Sequence, residues 1–203
     1  MEQTMIARAD RVTMRVIGAL AAAMACALAA GQLIAAATYA WADSVTLSLL
    51  AEQQLPVEPG LGVTTASVDT VSVTTSALST GARWSLAGGG LLLAATALLV
   101  GLAVVWLMLA AASGRPFRSP LFRVTLIAAF ALVLGPLLAT ALSGFGAMQA
   151  AFELNDAVGG ILVPGFGVSP WGLTIPVVSL GLIALAYLFQ RMQRLQRDTE
   201  GLV

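Results

Sequence analysis

The chain alternates between long stretches with no charge and short stretches where charges gather. No charged residue lies between Arg15 and Asp43, between Arg83 and Arg115, between Arg123 and Glu153, or between Asp156 and Arg191. A helix needs about 20 apolar residues to cross a hydrocarbon core of about 30 Å, and each run is long enough. Because a lipid-exposed backbone must satisfy its own polar groups, the pattern predicts four transmembrane helices, over 16–40, 86–111, 121–146 and 170–190. The fourth run has spare length. "GGILVPGFGVSP" (159–170) fills it as a loop outside the membrane, since its glycines and prolines punctuate a helix. The fold class is therefore an all-α polytopic membrane protein, with one four-span domain covering residues 1–203.

The segments between the runs differ from one another. Residues 43–85 form the one large outer loop. Within it "VDTVSVTTS" (68–76) sets Val against Thr or Ser in a half-buried strand pattern, and "SVTLSLL" (44–50) is a second candidate strand. "LPVEPGLG" (55–62) supplies turn residues between them. The expectation is a small extracytoplasmic β-hairpin or sheet, with a disordered Ser/Thr linker as the alternative. Residues 112–120 form a short inner loop.

Composition agrees with this class. The chain is 59% hydrophobic and 10% charged, with mean hydropathy +0.91, whereas a soluble domain carries about 25% charged residues. All ten basic residues are arginine, and net charge is zero, so no global basic field points to direct nucleic-acid binding. The single cysteine, Cys26, excludes an internal disulfide and reads as a small packing residue.

The arginines set the threading. Basic residues gather on the cytoplasmic side of membrane proteins. With both termini inside, Arg8, Arg11 and Arg15, Arg115, Arg118 and Arg123, and Arg191, Arg194 and Arg197 are all cytoplasmic, nine of the ten. Arg83 is the exception. The expected location is a cell (inner or plasma) membrane, multi-pass, with both termini cytoplasmic. Pro116 and Pro120 push Arg115 and Ser119 towards extended backbone, so neither helix is expected to run through the inner turn. The first run ends in "TYAWAD" (38–43), and Ala40-Trp41-Ala42 has the form of a signal-peptidase site. That run is much longer than the apolar segment of about 7–15 residues in a signal peptide, so the first span is expected to be retained.

Small residues fill the spans. "GALAAAMACALAAG" (18–31) and "GGG" (88–90) let helix backbones approach closely. Gly135-Pro136 predicts a kink in the third span, read as packing and curvature, with a hinge as the alternative. Trp41, Trp84 and Trp171 fall at the outer boundary as an interfacial aromatic belt.

Chemistry is sparse. The predicted spans hold no ionisable group of the kind pumps and ion-coupled transporters use. Without histidine there is no H-E-x-x-H zinc site and no Ser-His pair. Without lysine there is no phosphate-loop lysine. The sequence is therefore read as non-enzymatic, with no cofactor, catalytic residue or metal site. Glu153 and Asp156, three apart at the outer end of the third span, would share a face on a continued helix. They read as a solvated interfacial pair, with a cation site as the alternative. In "QRMQRLQRDTEGLV" (190–203) Arg191, Arg194 and Arg197 recur at helical spacing, suiting anionic lipid or a partner protein.

"GRPFRSP" (114–120) and "LFQRMQRLQRDTEGLV" (188–203) resemble a bacterial four-helix membrane family of unknown function, the domain-of-unknown-function family 2975. Its members have a Gly-x-Pro-Phe turn followed by Ser/Thr-Pro and a tail similar to Phe189–Val203. Here Arg118 stands between Phe117 and Ser119, where the family more often runs Phe directly into Ser or Thr. The resemblance implies a four-helix layout and no catalytic residue. Members are often encoded beside a small helix-turn-helix regulator, so it also implies such a cytoplasmic regulator as partner. The function expected is a membrane sensor, anchor or interaction protein whose working surface is Arg115, Arg118, Arg123, Arg191, Arg194 and Arg197 and whose other partner is the lipid bilayer. The alternative is a small transport or permease component, acting as an oligomer around a polar seam with Gln32 and Thr140.

Overall fold

A computed structural model describes residues 2–55, 66–112, 119–165, 177, 179–181 and 183. Helix α1 (Glu2–Trp41) leads into strand β1 (Val45–Leu55), which pairs antiparallel with β2 (Ala66–Thr75). Helices α2 (Thr80–Ala112) and α3 (Ser119–Leu154) follow, then a 3-10 turn, Asp156–Val158. Three helices are long and apolar enough to cross a membrane, over Val12–Trp41, Thr80–Ala110 and Arg123–Leu154. The chain is thus mostly helical with a small two-stranded sheet, and three such helices support a membrane location. Val177, Ser179, Leu180, Gly181 and Ile183 of the fourth run are helical. The rest of 170–190, the turn residues 56–62, and the loop residues 113–118 lie outside the described residues.

The helices overrun the boundaries expected from charge. α2 starts at Thr80 rather than 86, so the outer loop is shorter than 43–85. α3 runs to Leu154 rather than 146. Both extensions absorb a charged residue, and each finds a backbone partner: carbonyls for Arg83 and an N–H for Glu153. α3 also begins at Ser119, which is therefore helical rather than extended. Pro120 is tolerated there, because first-turn N–H groups have no intrahelical acceptor.

The chain falls into two compact units. In the unit of residues 1–30, 93–137 and 170–203, small residues line the helix contacts. A Cβ on Gly18 would meet Met108 on α2 at 3.3 Å, one on Gly101 would overlap Ala25 of α1, and one on Gly135 would overlap Thr96 of α2. α3 continues through Pro136. The buried residues of this unit include Ala25, Ala29, Ala94 and Ala103, whereas Met24, Leu28, Leu102 and Phe130 are exposed, Leu102 by 75%. Small inside and large outside is the arrangement of helices solvated by lipid, where close backbone approach replaces hydrophobic burial. Cys26 is exposed, a correction to its expected packing role: it sits one residue past buried Ala25, turned by about 100° on the helix.

The unit of residues 31–92 and 138–169 has a different interior. Val45, Leu47, Leu49, Leu78, Leu86, Leu154 and Leu162 form an aliphatic core with Ala82, Ala150 and Ala151. β1 has the expected period of two: Val45, Leu47, Leu49 and Ala51 are buried, while Thr46, Ser48 and Glu52 are exposed. In the register, Leu47 opposes Val73 and Leu49 opposes Val71 on the inner face, and Thr46 opposes Thr74 on the outer face. The Thr46 and Thr74 hydroxyls are hydrogen-bonded at 2.9 Å. The predicted strands 44–50 and 68–76 are thus paired, and β1 extends five residues further. A register shift between Leu50 and Gln53 sets two β1 residues against one of β2. The three glycines of 88–90 face different neighbours, as residues 100° apart on a helix must. A Cβ on Gly89 would lie 2.9 Å from the Ala139 carbonyl of α3, and one on Gly90 would lie 3.1 Å from the Gln32 carbonyl of α1.

Candidate functional site

The hairpin-bearing unit contains a constellation of polar groups with defined geometry, and it begins at Arg83. This arginine, the exception to the threading pattern, donates from Nη1 to the Ala42 carbonyl at 2.8 Å and from Nη2 to the Ser76 carbonyl at 3.3 Å. Ala42 follows the last residue of α1 and Ser76 the last of β2, so one guanidinium on α2 ties both ends of the hairpin. A planar fork suits two carbonyls at once.

Glu153 caps α2 from another helix. Ser79 is the N-cap: its Oγ accepts from the Ala82 N–H at 3.2 Å. In a capping box the third helical residue would be a glutamate reaching back to the cap, but here that residue is alanine. Glu153 on α3 supplies the carboxylate instead, accepting from the Ser79 N–H at 2.9 Å.

The shared helical face considered for Glu153 and Asp156 is not formed, while both residues are exposed, as a solvated pair would be. α3 stops at Leu154, Asn155 is the last right-handed residue before the 3-10 turn, and the two carboxylates do not share a continued helix. Among the described residues no group of three His, Cys, Asp or Glu is placed to hold a metal ion. The break after α3 is made by Gly159 and Gly160, at φ +80 and +78, where side-chain-bearing residues are disfavoured. Asn155 holds the turn from both of its carbonyl oxygens. The backbone carbonyl accepts from Gly160 at 2.8 Å, and the side-chain oxygen accepts from the Leu162 N–H at 3.0 Å.

Leu162 is thereby set beside β1 on the edge opposite β2. It bridges Ala51 antiparallel, with the Glu52 N–H donating to the Ile161 carbonyl and the Val163 N–H to the Leu50 carbonyl. Sequence reasoning left 159–170 as loop and missed this third sheet element. The available signal was the apolar triplet Ile161-Leu162-Val163 between glycines and Pro164.

A cavity of about 370 Å³ runs along β1 between this added segment and the helices. Thr46 through Leu50 wall it on the strand side, Tyr39 lies at the end of α1, and Thr140, Ser143, Gly144, Ala147 and Ala151 form a stripe on α3. No charged residue lines it, and hydroxyls are interspersed with Leu and Ala. The Ser143 hydroxyl is occupied by the Ala139 and Thr140 carbonyls. Thr140 lines the cavity; Gln32, its expected partner in a polar seam, does not.

Trp41 and Trp84, both exposed, meet edge to face with ring centroids 6.4 Å apart, which suits an interfacial belt. Trp171 lies outside the described residues. Of the arginines expected to form an interaction surface, Arg123 is on α3 and exposed. Arg115, Arg118, Arg191, Arg194 and Arg197 lie outside the described residues, as do most of the residues that carry the family resemblance.

Compared with protein-family models, with curated proteins and with solved structures, the chain finds no match in any of the three.

Proposed function

We propose that this chain is a non-enzymatic membrane protein with four spans, α1, α2, α3 and the run 170–190, and with both termini in the cytoplasm. It serves as a sensor or anchor whose cytoplasmic working surface is the arginine loop (Arg115, Arg118, Arg123) and the arginine tail (Arg191, Arg194, Arg197). A small helix-turn-helix regulator is the partner that the resemblance to the family of unknown function suggests.

One contrast carries this reading. At the hairpin end the single arginine is held by two carbonyls. Arg15, early in the apolar stretch of α1, and Arg123, near the start of α3, are exposed. Exposed arginines near the ends of apolar helices suit anionic headgroups or an acidic protein face.

Crosslinking in intact cells followed by affinity purification tests this function. A cytoplasmic protein is expected to co-purify with the full chain and not with a chain lacking 190–203. Equal recovery from both would remove the tail from the surface. Solute flux in reconstituted vesicles, with no co-purifying protein, would favour the transport alternative.

A further inference from the structure

We propose that the groove between α2 and α3, at the end where residues 113–118 join the two helices, holds one acyl chain of an anionic phospholipid, with the headgroup at Arg123. The proposal deepens the reading of the arginines as a headgroup-facing surface and rests on that reading only through Arg123.

The groove has a volume of about 480 Å³ and is lined by Leu99, Leu102, Trp106 and Leu109 on α2 and by Val124 and Ile127 on α3. Ala103 also lines it and is buried. Its methyl group stands among larger side chains of the same helix, which leaves a hollow between them. Leu102, Leu109 and Ile127 are each more than half exposed, so the hollow opens outward. Among the described residues no charged group lines it.

Length and charge select the occupant. From Leu99 to Leu109 the groove follows α2 for about 15 Å at 1.5 Å per residue. That is half of a hydrocarbon core of about 30 Å, the depth of one leaflet. A partner helix crossing the membrane would need a groove through both leaflets, whereas an acyl chain ends near the middle. The mouth lies where the apolar stretches of the two helices stop, at Ala110 and Arg123. Arg123 stands four residues before Ile127, on the same face of α3 and one turn nearer the loop, and it is exposed. Helix side chains lean towards the N-terminus, which carries this guanidinium past the mouth to headgroup level, where it suits a phosphate. From Trp84 to Phe152 the sequence holds three arginines, Arg115, Arg118 and Arg123, and no acidic residue. A phosphate at this mouth therefore meets only positive charge from the α2–α3 hairpin. Trp106, exposed by 40%, offers an indole N–H that suits an ester carbonyl of the same lipid.

Photolabelling of the full chain in lipid nanodiscs tests the proposal. The probes are phosphatidylglycerol and phosphatidylcholine carrying the same diazirine-bearing acyl chain, each at the same low fraction in phosphatidylcholine discs, with labelled positions mapped by peptide mass spectrometry. Phosphatidylglycerol should label 99–109 and 124–127 about fivefold more than phosphatidylcholine, the worth of one basic residue beside an anionic headgroup. The exposed face of α1 at Met24 and Leu28 should take both probes equally, as unselective lipid contact does. Arg123→Gln should remove most of the preference at the groove. Ile127→Trp should narrow the groove and lower labelling of 99–109 by both probes. If Ile127→Trp does not fold, the ratio in the unaltered chain and in Arg123→Gln still decides. Equal labelling by both probes at the groove would mark annular lipid only and overturn the proposal. So would a groove that neither probe labels, as when residues 170–190 or a second copy fill it. Failure to recover a cytoplasmic partner, with the lipid preference kept, would strike the proposed function and leave this site standing.

Discussion

Replacing Arg83 with methionine keeps the apolar stem of the side chain and removes its donors. Two contacts are lost, Nη1 to the Ala42 carbonyl at 2.8 Å and Nη2 to the Ser76 carbonyl at 3.3 Å. A hydrogen bond from a charged donor is worth about 1.5–3 kcal/mol. The 2.8 Å bond lies within good geometry and the 3.3 Å bond beyond it. Arg83 is half-buried, which favours the lower end of the range. The loss is therefore about 2 kcal/mol in the opening of the hairpin from the helices, or about thirtyfold in an equilibrium constant. Amide exchange in nanodiscs reads this directly. Protection at Leu47, Leu49, Val71 and Val73 should fall about thirtyfold if those amides exchange through local opening. Protection in the middle of α2 should change little. Lysine at the position should give an intermediate loss, since an ammonium does not span two carbonyls. Unchanged exchange at the four strand amides in the methionine variant would show that the aliphatic core alone holds the hairpin, and would refute the clamp.

Glu153→Leu leaves the Ser79 N–H without its acceptor and removes a negative charge from the start of α2. It should cost about 1 kcal/mol, seen as faster exchange at Ala82 and Arg83, and Glu153→Gln should recover part of it by keeping a carbonyl acceptor. Gly89→Val would press a Cβ to 2.9 Å from the Ala139 carbonyl and should destabilise by about 1–3 kcal/mol. Gly31→Ala, with nothing within 4 Å, should be neutral or stabilising by up to about 1 kcal/mol; thermal unfolding in detergent compares the two. Replacing Arg115, Arg118 and Arg123 together by glutamine removes about 3 kcal/mol of headgroup attraction at about 1 kcal/mol each. It should raise the fraction of misoriented chains, scored in a Cys26→Ala background with single cysteines at Ser119 or Ser72 and an impermeant thiol reagent. Unaltered chains are expected to label at Ser72 and be protected at Ser119.

The apolar runs were legible because a span of about 20 apolar residues has few alternatives. The hairpin was legible because Val45, Leu47 and Leu49 must face one side of a strand. The helix ends were not. A charge reads from sequence as the edge of a span, and neither Arg83 nor Glu153 announces that a carbonyl or an N–H from another element will receive it. The capping arrangement was hidden for the same reason: the carboxylate that belongs three residues after Ser79 stands 74 residues away. The bridge at Leu162 depends on Asn155 turning the chain through two left-handed glycines. In the sequence those glycines signal only a loop. The cavity is assembled from α1, β1, β2, α2, α3 and the segment 163–165, elements that no local pattern links.

Charge placement at the hairpin end obeys a rule apart from the threading of the membrane. A helix carries partial positive charge at its N-terminus and partial negative charge at its C-terminus. Arg83 binds the Ala42 carbonyl, at the C-terminal end of α1, and Glu153 binds the Ser79 N–H, at the N-terminal end of α2. Each charge thus meets the helix end of opposite sign. An outward arginine opposes the inward bias by about 1 kcal/mol, the worth of one basic residue near headgroups. The Arg83 clamp returns about 2 kcal/mol. In the proposed threading the local gain exceeds the topological loss, and the nine remaining arginines set the direction. Under that proposed threading the balance accounts for one outward arginine, and it requires the residue at 83 to be an arginine held by carbonyls, as Arg83 is by Ala42 and Ser76.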